Sequence, residues 1–243
     1  MDSYLRRIGA TRDSSLAELQ ERHLLSVPFE NLDTHMDTRI VLEIPWLYDK
    51  IVERRRGGFC YELNGLFAEL LRDLGFRVDL MAARVFGGGR LGPPFDHLTL
   101  LVDDAWLVDV GFGAFSLHPL RWDSREEQED PAGLFRLADH DDDVDVYQGD
   151  VPTYRIERRP RSLSDFVPTC WWQQFAPESH FRVAPRASIV TPEGRMTLTD
   201  KKLVLTERGE KTELPVTDPE AAFREHFAID FRQRNASENL RTR

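Results

Sequence analysis

The spacing of apolar residues changes period near position 76, from helical upstream to strand-like downstream. After Ser15, which forms a capping-box pattern with Glu18, Leu16, Leu19, His23 and Leu24 recur at helical intervals until Pro28 stops the run. Beyond Gly57-Gly58, Leu63, Leu66, Phe67, Leu70, Leu71 and Leu74 fall on one helical stripe, Gly75 is placed to close it, and Cys60 stands at its start. Strand patterns follow at 78–85, then the loop GGGRLGPPFD, then 97–102 and 105–110 around Asp103-Asp104, which read together as a hairpin. Between Asp123 and Asp150 the chain is acidic and poorly patterned, so loops with one strand at 134–137 are expected. Runs at 153–157, 187–190, 195–198, 203–206 and 211–214, separated by turn signals, predict an antiparallel meander. Asp218-Pro219 then opens a last helix to about Phe227, and the polar tail after Phe231 is expected to fray.

Composition narrows the class without naming a function. With 243 residues, 41% hydrophobic and 30% charged, the chain is an ordinary globular one. A formal net charge of -10 argues against nucleic-acid or anionic-membrane partners, which need a basic face. The opening MDSYLRRIGA lacks a signal-peptide core and no apolar run is long enough to span a bilayer, so a cytoplasmic protein is expected. The two cysteines, Cys60 and Cys170, are too few for a disulfide scaffold and fit a reducing compartment. The acidic run 139–145 superficially matches a calcium loop, but Val144 stands where the sharp turn needs glycine, so a solvated loop and no metal are expected.

A cysteine attacks as thiolate, and a helix N-terminus or a nearby histidine stabilises that form. Cys60 has the first by position, Arg54-Arg55-Arg56 adds positive charge, and the amides at the helix start are candidate oxyanion donors. Locally two readings stay open, an activated thiol and the small core residue that a free cysteine usually is. Cys170, in Pro-Thr-Cys-Trp-Trp, has no such surroundings and reads as core filler.

His97 opens a strand straight after the glycine-proline loop, and Asp109 interrupts the apolar run Trp-Leu-Val-Asp-Val, where a carboxylate needs a partner. Their side chains share a sheet face only if the hairpin loop is odd-numbered or bulged. A three-residue loop at 102–104 would set His97 opposite Asp109. A lone histidine at a strand end ordinarily makes a surface hydrogen bond; Cys60, His97 and Asp109 together point instead to a nucleophile, its base and an orienting acid.

Four segments carry a family resemblance: Pro28-Phe-Glu-Asn-Leu32, Arg56-Gly-Gly-Phe-Cys-Tyr-Glu-Leu-Asn64, the stretch from Gly88 that ends in His97-Leu-Thr-Leu-Leu-Val102, and Val108-Asp-Val-Gly-Phe-Gly113. In this order, over most of the chain, they closely resemble the arylamine N-acetyltransferases. The resemblance implies an α+β fold: an N-terminal helical domain carrying the nucleophile (1–76), a central antiparallel β-barrel-like domain carrying histidine and aspartate (77–184), and a C-terminal α/β lid (185–243), around a cysteine-protease-like Cys-His-Asp core. It implies a ping-pong acyltransferase in which Cys60 accepts an acetyl group from acetyl-coenzyme A and passes it to an arylamine, arylhydrazine or N-hydroxyarylamine. Phe112 and Phe181 are then walls of the acceptor pocket, Gly88 and Asp96 positions for the coenzyme A thioester, and Glu30 with Arg56 a structural ion pair. The chain is shorter than many relatives, a difference expected in the third domain or tail. The same triad would also serve an amide synthase or a cysteine hydrolase; a non-catalytic small-molecule binding module fits the intact triad less well. Oligomeric state stays open.

Overall fold

The computed structural model describes residues 1–36 and 38–230; the expected frayed tail lies outside the described residues. The N-terminal part holds α1 (Asp2–Ile8), α2 (Leu16–Ser26), β1 (Phe29–Glu30), α3 (Ile44–Tyr48) and α4 (Cys60–Asp73). The capping box at α2 is present: Glu18 N donates to Ser15 Oγ at 3.3 Å and Ser15 N to Glu18 Oε2 at 2.7 Å. The helix carrying the stripe begins at Cys60, as expected, and ends before Gly75, whose φ of +97° suits glycine.

Twelve strands follow: β2 (Val78–Gly87), β3 (Arg90–Leu91), β4 (His97–Val102), β5 (Trp106–Val108), β6 (Leu120–Arg121), β7 (Gln128–Asp130), β8 (Gly133–His140), β9 (Asp143–Gln148) and β10 (Val151–Arg161), then, after α5 (Val167–Phe175), β11 (Arg186–Thr191), β12 (Gly194–Thr199) and β13 (Lys202–Glu207). A last strand, β14 (Glu210–Pro215), precedes α6 (Pro219–Phe227). One antiparallel sheet runs in the order β6-β5-β4-β2-β10-β9-β8-β7, with β3 added to β2. It curls until its end strands meet: Arg121 N donates to Gln128 Oε1 at 2.6 Å, and Gln128 Nε2 to Arg121 O at 3.1 Å. The result is a nearly closed barrel. Alternation decides its packing, with Met81, Ala83, Leu101, Leu107, Val144, Val146 and Tyr154 buried inside while Leu80, Ala82, Leu98, Leu100 and Val102 face outward into the helical core.

The stretch expected to be mostly loop is the principal correction. Between 123 and 150 lie three strands, and the acidic run is no solvated loop but part of the β8–β9 hairpin. Phe135, Leu137, Val144 and Val146 supply a buried face one residue in two, while the intervening positions are largely polar and mask the period. Asp145, from the supposed loop, is buried and takes Arg155 Nε at 2.6 Å, and Asp139 pairs with Arg125 at 2.7 Å. Four of the five expected meander runs pair as a meander, but the run at 153–157 belongs to β10 of the barrel and β1 takes the edge instead, giving the order β1-β11-β12-β13-β14; α6 covers one face with Phe223 and Phe227 against Leu32, Ala187, Leu198 and Leu203. Among the described residues no helix is long and apolar enough to cross a membrane.

His23 occupies a helical core position between Tyr4 and Phe67, with ring centroids 5.9 and 5.1 Å away, and neither ring nitrogen has a hydrogen-bond partner among the described residues. Burial, helped by the charge of Arg7, lowers its pKa to about 3. The unfolded chain therefore binds a proton near pH 6.5 that the folded chain refuses until about pH 3, so stability falls as pH drops through that window. In His23→Leu this acid-side slope is expected to flatten by up to ~1.4 kcal/mol per pH unit relative to the parent, measured by denaturant melts from pH 7 to pH 4. Parallel slopes in the two proteins would disprove it.

Candidate active site

Cys60 is the first residue of α4 and is buried; the strands that α4 packs against deliver the other two groups. The register of the β4–β5 hairpin settles their geometry. Val102 pairs with Trp106 and Leu100 with Val108, so the loop has the expected odd length but comprises residues 103–105, one position later than expected. Continuing the ladder brings Asp109 across from Thr99 rather than His97. Histidine and aspartate nonetheless share a face as a diagonal pair, which their side chains can span. His97 Nε2 lies 2.6 Å from Asp109 Oδ2, and the Cys60 thiol is close enough to help raise the pKa of the ring.

Asp109 is held from three directions. Besides His97, its Oδ1 accepts from Asn64 Nδ2 at 2.9 Å and from Gly111 N at 2.9 Å. Asn64 also donates to Leu98 O at 2.7 Å and accepts from Val110 N at 2.9 Å, so one amide ties α4, β4 and the loop after β5 together. The sequence reading did not single out Asn64 for a role; the available signal was a lone amide on an apolar helix, one turn after Cys60. The loop can approach this closely because residue 111 is glycine: a Cβ there would lie 2.6 Å from Cys60 Cα and 2.7 Å from Asn64 Nδ2.

Burial lowers the pKa of His97, but the charge of Asp109, its hydrogen bond and the neighbouring thiol outweigh it and raise the value to about 10. The rise favours the cationic form of the ring, which lies against the Asp109 carboxylate with the Cys60 thiol nearby. Such an arrangement can stabilise a thiolate and deliver a proton to a leaving group.

Cys60 and His97 open onto a cavity of about 460 Å³. Phe112 and Phe181 both line it, Phe112 packed edge-on to His97 at 5.2 Å and Phe181 edge-on to Phe59 at 5.2 Å. Asp96 lines it too, accepting from Gln173 Nε2 at 2.7 Å, its pKa raised by burial. Gly88 is not among the lining residues; it sits in the exposed β2–β3 turn at φ +56°, with open space around it. Cys170 is buried and its pKa is raised by that burial, as fits a core position.

Behind α4 the Glu30–Arg56 pair is part of a larger buried cluster. Arg56 Nη2 lies 2.7 Å from Glu30 and 2.9 Å from Asp33; Lys50 Nζ lies 2.8 Å from Asp33 and 2.7 Å from Glu62. Three carboxylates face two cations. Burial raises Glu62, Lys50 lowers it, and the neighbouring carboxylates help to leave it at about 7; in Asp33 the two cations overcome burial and hold it at about 2. Among the described residues no group of three or more histidine, cysteine or acidic side chains is arranged to hold a metal.

These features place the molecule among the enzymes that transfer acyl groups: the family model for N-acetyltransferases matches residues 14–236. The arylamine N-acetyltransferase of Escherichia coli K12 is 34% identical over 248 aligned positions, covering 94% of this chain and 88% of that protein. A Salmonella typhimurium protein named arylamine N-acetyltransferase / N-hydroxyarylamine O-acetyltransferase is 33% identical, covering 85% and 77%. The solved structure of the Mycobacterium marinum arylamine N-acetyltransferase in complex with CoA matches with a TM-score of 0.85 at 31% identity, covering 94% of this chain and 92% of that one. The chain belongs to the arylamine N-acetyltransferase family.

Proposed function

We propose that the protein transfers an acetyl group from acetyl-coenzyme A to an arylamine, arylhydrazine or N-hydroxyarylamine through an acetyl-Cys60 intermediate. The observation that carries this reading is the buried His97–Asp109 pair set against the Cys60 thiol on the wall of an aromatic-lined cavity. Cys60 attacks the thioester carbonyl as thiolate, the tetrahedral adduct collapses by breaking the bond to the coenzyme A sulfur, and the His97 imidazolium protonates the departing thiolate. The amine then attacks the acetyl-cysteine carbonyl. His97, now neutral, takes the proton from the amine as the Cys60 thiolate is released. Aromatic amines are weak bases and neutral at pH 7, so they can attack without prior deprotonation.

Phe112 and Phe181 are assigned to holding the acceptor ring by edge and face contacts. Asp96, on the cavity wall, and Gly88, in the open turn beyond it, are assigned to the donor side. Residues 1–76, 77–184 and 185–243 form the helical, barrel-like and lid domains in this reading, and the free thiols fit a cytoplasmic enzyme. Relatives named for arylamine acetylation and the CoA complex support the choice of substrates.

Mass spectrometry of the protein with acetyl-coenzyme A alone is expected to show one acetyl group on Cys60, which an added arylamine removes as its N-acetyl product. A folded protein that gains no acetyl group would refute the donor assignment; loss of the group to water at the same rate without amine would favour hydrolysis.

A further inference from the structure

Glu62 joins the buried charge cluster to the nucleophile, standing two positions after Cys60 on α4. Its Oε1 lies 2.7 Å from Lys50 Nζ, and its Oε2 accepts from Phe59 N at 3.1 Å. Phe59 directly precedes Cys60, and the turn leading to it packs onto the same side chain: a Cβ on Gly58 would lie 2.6 Å from Glu62 Oε2 and 2.8 Å from Glu62 Cβ. Further back, Glu30 N donates to Gly58 O at 2.8 Å and Arg56 N to Lys50 O at 3.0 Å. The residues that anchor the backbone before the nucleophile are thus members of the charge cluster.

The cluster is one positive charge short. Glu30 on β1, Asp33 shortly after it and Glu62 on α4 face Lys50 and Arg56, and each of the five side chains is at most 5% exposed. Fully ionised, the set would bury a net negative charge, which a dry interior resists, so one acid is placed to hold a proton. Arg56 pairs with Glu30 and Asp33, which leaves Lys50 as the cation beside Glu62. Burial above all, with the charges of Asp33 and Glu30, raises Glu62 to about 7 against the pull of Lys50. From α5 the Cys170 thiol also faces Glu62, whose charge helps to raise the pKa of that thiol. His97, raised to about 10, does not titrate in the same range.

Both oxygens of Glu62 therefore face N–H donors. Each contact is charge-assisted while the acid is ionised, and a proton on either oxygen displaces or weakens the contact made there. We infer that Glu62 is a proton-controlled positioning residue for the nucleophile: ionised, it holds Lys50 and the Phe59 amide and sets the turn that presents Cys60 to His97; protonated, it loosens that hold and the turn slackens. This rests on the acetyl-transfer reading and adds to it the group that governs the acid side of the pH profile.

The test follows the rate at which acetyl-coenzyme A loads Cys60, read by mass, from about pH 6 to about pH 8 in the parent and in Glu62→Gln. Glutamine leaves two carboxylates facing two cations, and its amide accepts at one end only. The parent rate is expected to rise about tenfold across the range, with its midpoint near the Glu62 value of about 7. The variant rate is expected to stay within about twofold of the parent's lowest value throughout. Glu62→Met, equally free of the titrating proton, serves in its place should the glutamine variant not fold. The same rise in either variant would place the titration in the triad and overturn the inference. So would a parent without a rise, or a variant that matches the parent at the upper end of the range. Alkylation of Cys60 by iodoacetamide, which needs no acetyl donor, is expected to show the same rise in the parent and its loss in the variant. A parent that alkylates in this way but gains no acetyl group would count against the acetyl-transfer reading and leave the role of Glu62 standing, so the two failures are distinguishable.

Discussion

Replacing Cys60 with alanine is expected to lower acetyl transfer by about four orders of magnitude or more, because the proposed route passes through a covalent bond to that sulfur and no other group can form it. Cys170, the other cysteine, is buried in the core, its thiol hydrogen-bonded by Gln174 at 3.4 Å and its pKa raised by burial, so it offers no substitute. The fold should survive. Cys60 is small, and removing one buried sulfur costs at most about 2 kcal/mol. Steady-state transfer to an arylamine, read beside a thermal melt, checks both statements. A folded alanine variant retaining more than a hundredth of the parental kcat/KM would remove Cys60 from the mechanism.

The largest stability effect is expected at Arg56, which touches no part of the cavity. Its guanidinium is 2% exposed and lies between Glu30 and Asp33. In Arg56→Met those two carboxylates, and Glu62 beyond them, would share Lys50 alone, and breaking a buried charge pair from one side costs about 3–5 kcal/mol. That is a large part of the ~5–15 kcal/mol that stabilises a typical domain. Glu30→Gln in the same background is expected to recover some of the loss, since it removes one of the stranded charges yet keeps an oxygen for the Leu32 amide, which donates to Glu30 Oε2 at 2.7 Å. Chemical denaturation of the two single variants and the double variant measures the coupling. Purely additive costs would mean the cluster is held by packing and not by charge.

How much could be read beforehand depended on whether the signal was local. The α2 capping box, the stripe of α4, the meander strands and the Asp218 cap of α6 are each written within a few residues, and all appear where expected. Between 128 and 148 only the middle of β8, at 134–137, was expected; β7 and β9 escaped because β7 has no fully buried residue and the remaining positions of β8 and β9 are rich enough in acid to look like loop. The hairpin shows the same limit at finer scale. An odd loop follows from requiring His97 and Asp109 on one face, but a shift by one residue preserves that parity, and only the hydrogen-bonded ladder distinguishes direct from diagonal pairing.

The sequence by itself determined the period of each element, the placement of a thiol at a helix start, the Cys, His and Asp residues that a single mechanism could use, and the family. Only the tertiary structure decided that Asn64 braces Asp109, that Gly111 must lack a side chain beside Cys60, that five charged residues interlock behind α4, and that Arg186 and Arg195 line the cavity of the thiol. The physical reason is distance along the chain. A cap or a stripe is settled by neighbours within one or two turns, whereas whether a buried charge is paired, and which way a strand's polar face looks, depend on residues that folding brings together from positions far apart, as Asn31 and Arg186 are, 155 residues apart.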